Sequence, residues 1–439
     1  MKRFIPFLVL IVVLILSFVF PSIEISQVTG THFDSGDIAW MLISVALVLI
    51  MTPGLAFFYG GMVNKKNVIS TMLQSLISMV IITVMWVVFG FSLAFGKSIG
   101  GFIGNPSTYF MMKGMLGSAV WPGATTIPLV LFAMYQLKFA IITPALFTGA
   151  FAERIRFNSY LIFLILFSIF IYSPLAHCTW HPNGYLAKMG VLDFAGGTVV
   201  HMSAGWAALA SALYLKRRHE ANHAPARITY VIIGTGLLWF GWFGFNAGSA
   251  LSASPLAATA LATTTTAASA AGLAWVFFDM MRGRKPSAMG TCIGAVVGLV
   301  AITPAAGYVS IPHSLAIGII SAVVSNLVVE LRTRTSIDDT LDVFPCHGVG
   351  GMVGMLLTGV FAHHNVNPLV NADGKSGNGL VFGDTHLFIV QLTALVMVSV
   401  FAFFGSLLLL KITDMISPLR VSMEDETVGL DISQHGEKL

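Results

Sequence analysis

The chain has 439 residues, 56% of them hydrophobic and 10% charged, with a formal net charge of +4 and a mean hydropathy of +0.85. Soluble domains carry about 25% charged residues, so this composition excludes a soluble globular fold and leaves a polytopic membrane protein. Three scattered cysteines, Cys178, Cys292 and Cys346, give neither a disulfide framework nor metal-ligand spacing.

In chain order, residues 1–25 come first. They open with Lys2-Arg3 and run apolar to Phe20, the shape of a signal peptide. No small-x-small cleavage site is evident near Pro21-Ser22, so an uncleaved N-terminal anchor is the alternative. Apolar segments of bilayer-crossing length then recur without a soluble domain between them. They are expected near 38–60, 68–95, 127–150, 158–177, 195–215, 228–249, 256–278, 288–304, 313–331, 343–362 and 385–412. These eleven spans make up a membrane domain over 26–413. Residues 414–439 are a charged tail, which contacts another subunit or a cytosolic partner or else is disordered.

Charge orients the spans. Sixteen lysines and arginines fall on one set of connections and the tail, among them Lys65, Lys66, Arg154, Arg218, Arg284 and Arg332. The opposite set holds four: Lys97, Lys113, Lys188 and Lys375. By the positive-inside rule the mature N-terminus is outside and the tail cytoplasmic. Two long Gly/Asn/Pro-rich loops, 97–126 and 362–384, lie outside.

Ionisable residues within spans are costly and mark function by default. The fifth span opens Asp193-Phe-Ala-Gly-Gly-Thr-Val-Val-His201-Met-Ser-Ala-Gly205, with Asp193, Gly197, His201 and Gly205 at helical spacing on one face. The tenth reads Asp342-Val-Phe-Pro-Cys-His347-Gly-Val-Gly-Gly351, with His347, Gly350, Gly351 and Gly354 on one face. Spans five apart thus each carry an acid, a histidine and a glycine-lined face. This pattern suggests two halves of five spans, the second inverted, with a pathway at the repeat interface. A lone buried histidine is more often a satisfied core residue; two at matched positions argue for rings that meet and share a proton. No third ligand supports a metal.

Asp193 suits an N-cap and could also favour a cation at an outer vestibule. The sixth span places Trp242, Phe245 and Ser249 on one face, and the third offers Phe132, Tyr135, Gln136 and Phe139. Trp180 is expected in the outer loop before Asp193. Aromatic stripes are usually packing residues. Here their company suits a small cation with N–H donors: aromatic faces attract it, a serine oxygen accepts from it, and two phenylalanines below would close an apolar constriction. Lys138, beside Phe139, is expected to point away towards a helix or subunit interface.

Several of these stretches together resemble the ammonium transporter (Amt/Rh/Mep) family, in its bacterial Amt branch. They are Asp193 to His201, Met51-Thr-Pro-Gly-Leu-Ala-Phe-Phe-Tyr-Gly-Gly61, Ala152-Glu-Arg-Ile-Arg-Phe157, Trp242-Phe-Gly-Phe-Asn-Ala-Gly-Ser249, Asp342 to Gly351 and Gly429-Leu-Asp-Ile-Ser with His435-Gly-Glu437. The resemblance implies an all-α ammonium-transporter fold of eleven transmembrane helices with a five-plus-five inverted repeat, assembled as a homotrimer in the plasma (inner) membrane. It implies an outer ammonium site of Trp180, Phe139 and Ser249 supported by Asp193. It also implies a gate of Phe139 and Phe245, and a pore past His201 and His347, with Trp242 on the pore face. Ammonium and methylammonium are the implied substrates, and a cytoplasmic PII-type signal protein is an implied partner. No cofactor, metal, nucleic acid or enzymatic activity is expected, since neither an HExxH-type motif nor a nucleophile beside a base is evident.

Ammonium resembles potassium in size and charge. Desolvating a bare cation in an apolar pore costs many kcal/mol. Ammonium alone can give up a proton and cross as ammonia. The proton either returns outside, making a gas channel, or crosses separately over the histidines; the paired rings favour the second. An ammonium sensor of the same fold is the runner-up.

Overall fold

The computed structural model describes residues 5–220, 224–370 and 377–439. Lys2, Arg3 and Lys375 lie outside them. The apolar stretches fold as helices: α1 (Ile5–Val19), α2 (Ser35–Met62), α3 (Lys65–Phe95), α4 (Leu129–Phe151), α5 (Phe157–Lys188), α6 (Gly197–Leu215), α7 (Ile228–Ala250), α8 (Pro255–Met281), α9 (Ala288–Ile302), α10 (Ile311–Thr333), α11 (Phe344–Phe361) and α12 (His386–Ile416). Ten of them, α2 to α8 and α10 to α12, are long and apolar enough to cross a bilayer. The expected span at 288–304 is α9, whose 15 residues rise about 22 Å, short of a hydrocarbon core of about 30 Å. The count of eleven rests on that helix.

Local sequence sets the helix starts. Asp34 accepts from the Asp37 N–H at 2.9 Å to cap α2, and Ser254 caps α8 ahead of Pro255. At the repeat interface, α6 and α11 begin in wider, π-helical turns, Gly197–Met202 and Phe344–Val349, and each turn holds one of the histidines. The two helices cross at glycine. A Cβ on Gly205 would lie 2.2 Å from the Gly348 Cα, and one on Gly351 would lie 3.1 Å from the Gly197 carbonyl oxygen and 3.2 Å from the His201 Cβ. Each glycine is the fourth residue after its own histidine and faces the other helix beside the other histidine, so the packing is reciprocal. Small residues permit such approach where lipid supplies no hydrophobic drive.

The structure corrects the acid match between the halves. Asp193 precedes the α6 start and is not on its helical face; it caps the turn. Its counterpart is Asp339, not Asp342. Asp339 lies eight residues before His347 as Asp193 lies eight before His201, and each carboxylate accepts the N–H five residues on, Phe344 at 2.7 Å and Thr198 at 2.8 Å. Asp342 instead lies 2.7 Å from Arg332 Nε.

The tail is ordered and docks on its own chain as α13 (Met423–Val428) and α14 (Leu430–His435). The Asp431 carboxylate accepts the N–H groups of Ile69 and Ser70 at 3.1 and 2.7 Å, near the start of α3. The Leu430 N–H donates to Asn67 Oδ1 at 2.8 Å, and the His435 ring stands edge-on to Phe157 at 4.9 Å. Glu426 accepts from the His219 N–H at 2.6 Å and from Arg420 at 2.9 Å. Beside it, buried Arg218 bridges Glu153 at 2.6 Å and Asp338 at 2.8 Å. Burial works against the Asp338 carboxylate, but the Arg218 hydrogen bond and the Arg154 and Arg218 charges outweigh it and hold the acid at about 2.

Candidate functional site

At the pole carrying residues 97–126 and 362–370, the expected outer one, three helices converge. Asp193 sets the floor. Its Oδ1 accepts from the Gly196 and Gly197 N–H groups at 2.8 and 2.7 Å, and its Oδ2 from the Thr198 N–H at 2.8 Å and the Thr198 hydroxyl at 2.5 Å. The buried carboxylate is thus fully occupied by the start of α6, which fits the capping role. Its link to the vestibule is through the main chain: the Trp180 indole N–H donates to the Asp193 carbonyl at 3.2 Å. Trp180 is not in a loop. It ends the helical run Ser173–Trp180, which aims its ring edge-on at Phe139, centroids 5.8 Å apart.

Next to it stand two phenylalanines. The Phe139 and Phe245 rings are 4.3 Å apart, and both residues are buried. Ser249 sits partly exposed above them, with its Oγ 2.8 Å from the Phe245 carbonyl. Tyr135, one turn from Phe139, places its hydroxyl 3.1 Å from Ser249 Oγ. Phe132, from the same sequence stripe, turns away and stacks flat on Trp121 at 5.1 Å. The Gln136 Oε1 is buried without a hydrogen-bond partner among the described residues. Lys138 is partly exposed, and its ammonium makes no hydrogen bond or ion pair among the described residues.

Past the phenylalanines the lining is apolar apart from two imidazoles. A narrow cavity is bounded by Met51, Leu55, Ile142, Leu238, His201 and His347, with Trp242 and Phe245 at its edge. The His201 Nδ1 and His347 Nδ1 are 3.3 Å apart. One of the two must donate and the other accept, so a single hydrogen lies between them. His201 stacks on Trp242 with ring centroids 5.4 Å apart and planes at 15°, and its Nε2 has no partner among the described residues. Trp242 is held in turn by its indole N–H donating to Thr303 Oγ1 at 3.0 Å. A second small cavity, lined by Tyr59, Leu341 and Cys346, also borders His347.

The structure therefore brings Trp180, Phe139, Phe245, Ser249, His201, His347 and Trp242 into one connected cluster, with Asp193 beside Trp180. Sequence reasoning named Tyr135 in the aromatic stripe but not its contact with Ser249, and it missed Thr303 and Asp339. Asp339 alone had a legible signal, the eight-residue offset from its histidine. No group of three or more His, Cys, Asp or Glu side chains able to hold a metal occurs among the described residues.

A sequence profile described as Ammonium Transporter Family matches residues 39–439. An ammonium transporter of Aquifex aeolicus is 43% identical over 92% of this chain and 93% of its own. The crystal structure of Saccharomyces cerevisiae Mep2 superposes with a TM-score of 0.83 at 35% identity, covering 90% of this chain and 89% of that one. A structure described as a sensor Amt protein gives a TM-score of 0.82 at 28% identity, covering 91% of this chain and 98% of that one.

Proposed function

The chain belongs to the ammonium transporter family and acts in a membrane on ammonium, and we propose that its own residues divide the transport among four steps. Ammonium is recruited beside the Trp180 and Phe139 rings, with an N–H donated to Ser249. Cation–π attraction of about 2 kcal/mol in a desolvated site offsets part of the lost hydration. The ion then gives up a proton, because the path beyond the Phe139–Phe245 pair offers no set of oxygens to replace its water. Ammonia passes the apolar cavity along His201 and His347. The proton crosses separately over the imidazole pair, and ammonia takes up a proton again in the cytosol, so that one ammonium enters for each charge moved. Asp193 acts by holding Trp180 and the α6 start in register.

The observation that carries this reading is the 3.3 Å contact between the two Nδ1 atoms inside an otherwise apolar cavity. A hydrogen shared by two neutral rings is a relay for a proton and a poor ligand for potassium. An electroneutral ammonia channel is the second reading, since the same cavity passes ammonia without any relay. A sensor is a third, favoured by the likeness to the sensor Amt protein.

The same proposal covers the surroundings. Residues 1–25 are a leader or anchor, 26–413 the transport domain and 414–439 a cytoplasmic tail in a homotrimer of the plasma membrane, with the mature N-terminus outside. The charge asymmetry of the connections supports the orientation. A PII-type signal protein would meet the cytoplasmic face, where the tail is docked.

The test is an ammonium jump on protein reconstituted in a supported bilayer, with methylammonium uptake in parallel. Wild type is expected to give a current, and His201→Ala to lose it or to admit potassium. Uptake without current would refute the proton relay, and binding without uptake would favour the sensor.

A further inference from the structure

The outer site is built on the carbonyl end of α7. Gly244 and Phe245 stand where the helix tightens into the 3-10 turn Ala247–Ala250, and carbonyls at such an end carry the partial negative charge of the helix. Two hydroxyls are tied to them. Tyr135 Oη is 2.9 Å from the Gly244 carbonyl oxygen and 3.0 Å from that of Phe245. Ser249 Oγ is 2.8 Å from the Phe245 carbonyl oxygen and 3.1 Å from Tyr135 Oη. Tyr135 is completely buried, whereas Ser249 is partly exposed.

Each hydroxyl has one hydrogen and two lone pairs. The acceptors within reach of the Ser249 hydrogen are the Phe245 carbonyl and Tyr135 Oη, and both belong to fully buried residues beneath it. Whichever takes it, the hydrogen points inward and a lone pair is left facing the vestibule. An oxygen held so can accept from an N–H donor and cannot donate. Phenylalanine at 135 would fill the same space, but it would leave the serine one inward partner and a freer rotor.

We propose that Tyr135 is a positioning residue of the outer site, fixing Ser249 as an acceptor for cations that carry N–H donors. This rests on the reading of Ser249 as an ammonium ligand. Tyr135 touches no substrate and acts through Ser249, so its removal weakens recruitment and leaves the proton and ammonia steps alone.

The experiment compares wild type, Tyr135→Phe, Ser249→Ala and the double variant, reconstituted as full chains, with apparent KM and maximal rate measured for ammonium and methylammonium. Tyr135→Phe is expected to raise the ammonium KM about fivefold, the size of one neutral hydrogen bond, with the maximal rate within about twofold of wild type. In the Ser249→Ala background the same change should add nothing, because its target is gone. A Tyr135→Phe KM equal to wild type, a fall in rate at constant KM, or multiplying effects in the double variant would each overturn the inference. If Ser249→Ala itself leaves KM unchanged, the reading of the outer site fails instead. Gly248→Ala is the second variant, since its Cβ would lie 2.8 Å from both the Tyr135 hydroxyl and the Ser44 Cβ and crowd both side chains. It should raise KM in the same way if Tyr135→Phe does not accumulate.

Discussion

Gly205→Ala is the sharpest perturbation of the histidine pair, because it changes neither histidine. Its Cβ would fall 2.2 Å from the Gly348 Cα and 2.3 Å from the Gly348 nitrogen, both backbone atoms that cannot rotate aside. Reaching ordinary contact near 3.4 Å needs the helices to part by about 1.2 Å at this point. Gly348 follows His347 directly, and residue 205 is one turn from His201. Transmitted in full, that movement lengthens the 3.3 Å Nδ1–Nδ1 contact to about 4.5 Å, beyond hydrogen-bond range. Overpacking of this kind costs about 1–3 kcal/mol, so the protein should still fold with a lowered thermal midpoint. The assay is the ammonium-evoked current and methylammonium uptake of the reconstituted variant. Gly236→Ala serves as control, since a Cβ there meets nothing within 4 Å. Loss of current at Gly205→Ala beside an unchanged Gly236→Ala is the expected result. Wild-type current from a folded Gly205→Ala protein would refute the reasoning that close crossing at glycine makes the pair.

Two further outcomes follow from the caps and the buried charges. Asp193→Ala removes the acceptor of four hydrogen bonds and should lower stability by about 2 kcal/mol or more, read as a fall in thermal midpoint together with lost uptake. Asp193→Asn, which retains one carbonyl oxygen, should keep part of both. Asp338 is held at about 2 against an ordinary value of 3.8, so the native state favours its charged form. That contribution is complete above pH 3.8 and is lost as pH falls towards 2, about 2 kcal/mol in all. The thermal midpoint in detergent should drop across that window, and Asp338→Asn should flatten the drop. A wild-type midpoint unchanged between pH 4 and 2 would count against the Arg218–Asp338 pair as a stabilising contact.

What the sequence determined by itself is whatever depends on local pattern. Apolar length and the 3.6-residue period placed the spans to within a few residues apart from the far end of α5, and the family motifs located the two histidines and Ser249. Asp193 was legible as a cap because capping is a contact within five residues. What only the tertiary structure decided is how each helix is rotated about its axis. Phe132 and Phe139 lie in one stripe of α4, yet one packs on Trp121 and the other on Phe245. Tyr135 reaches Ser249 across 114 residues of chain. These outcomes turn on which neighbouring segment each helix face meets, and a periodic pattern read along one helix carries no record of its neighbours' positions.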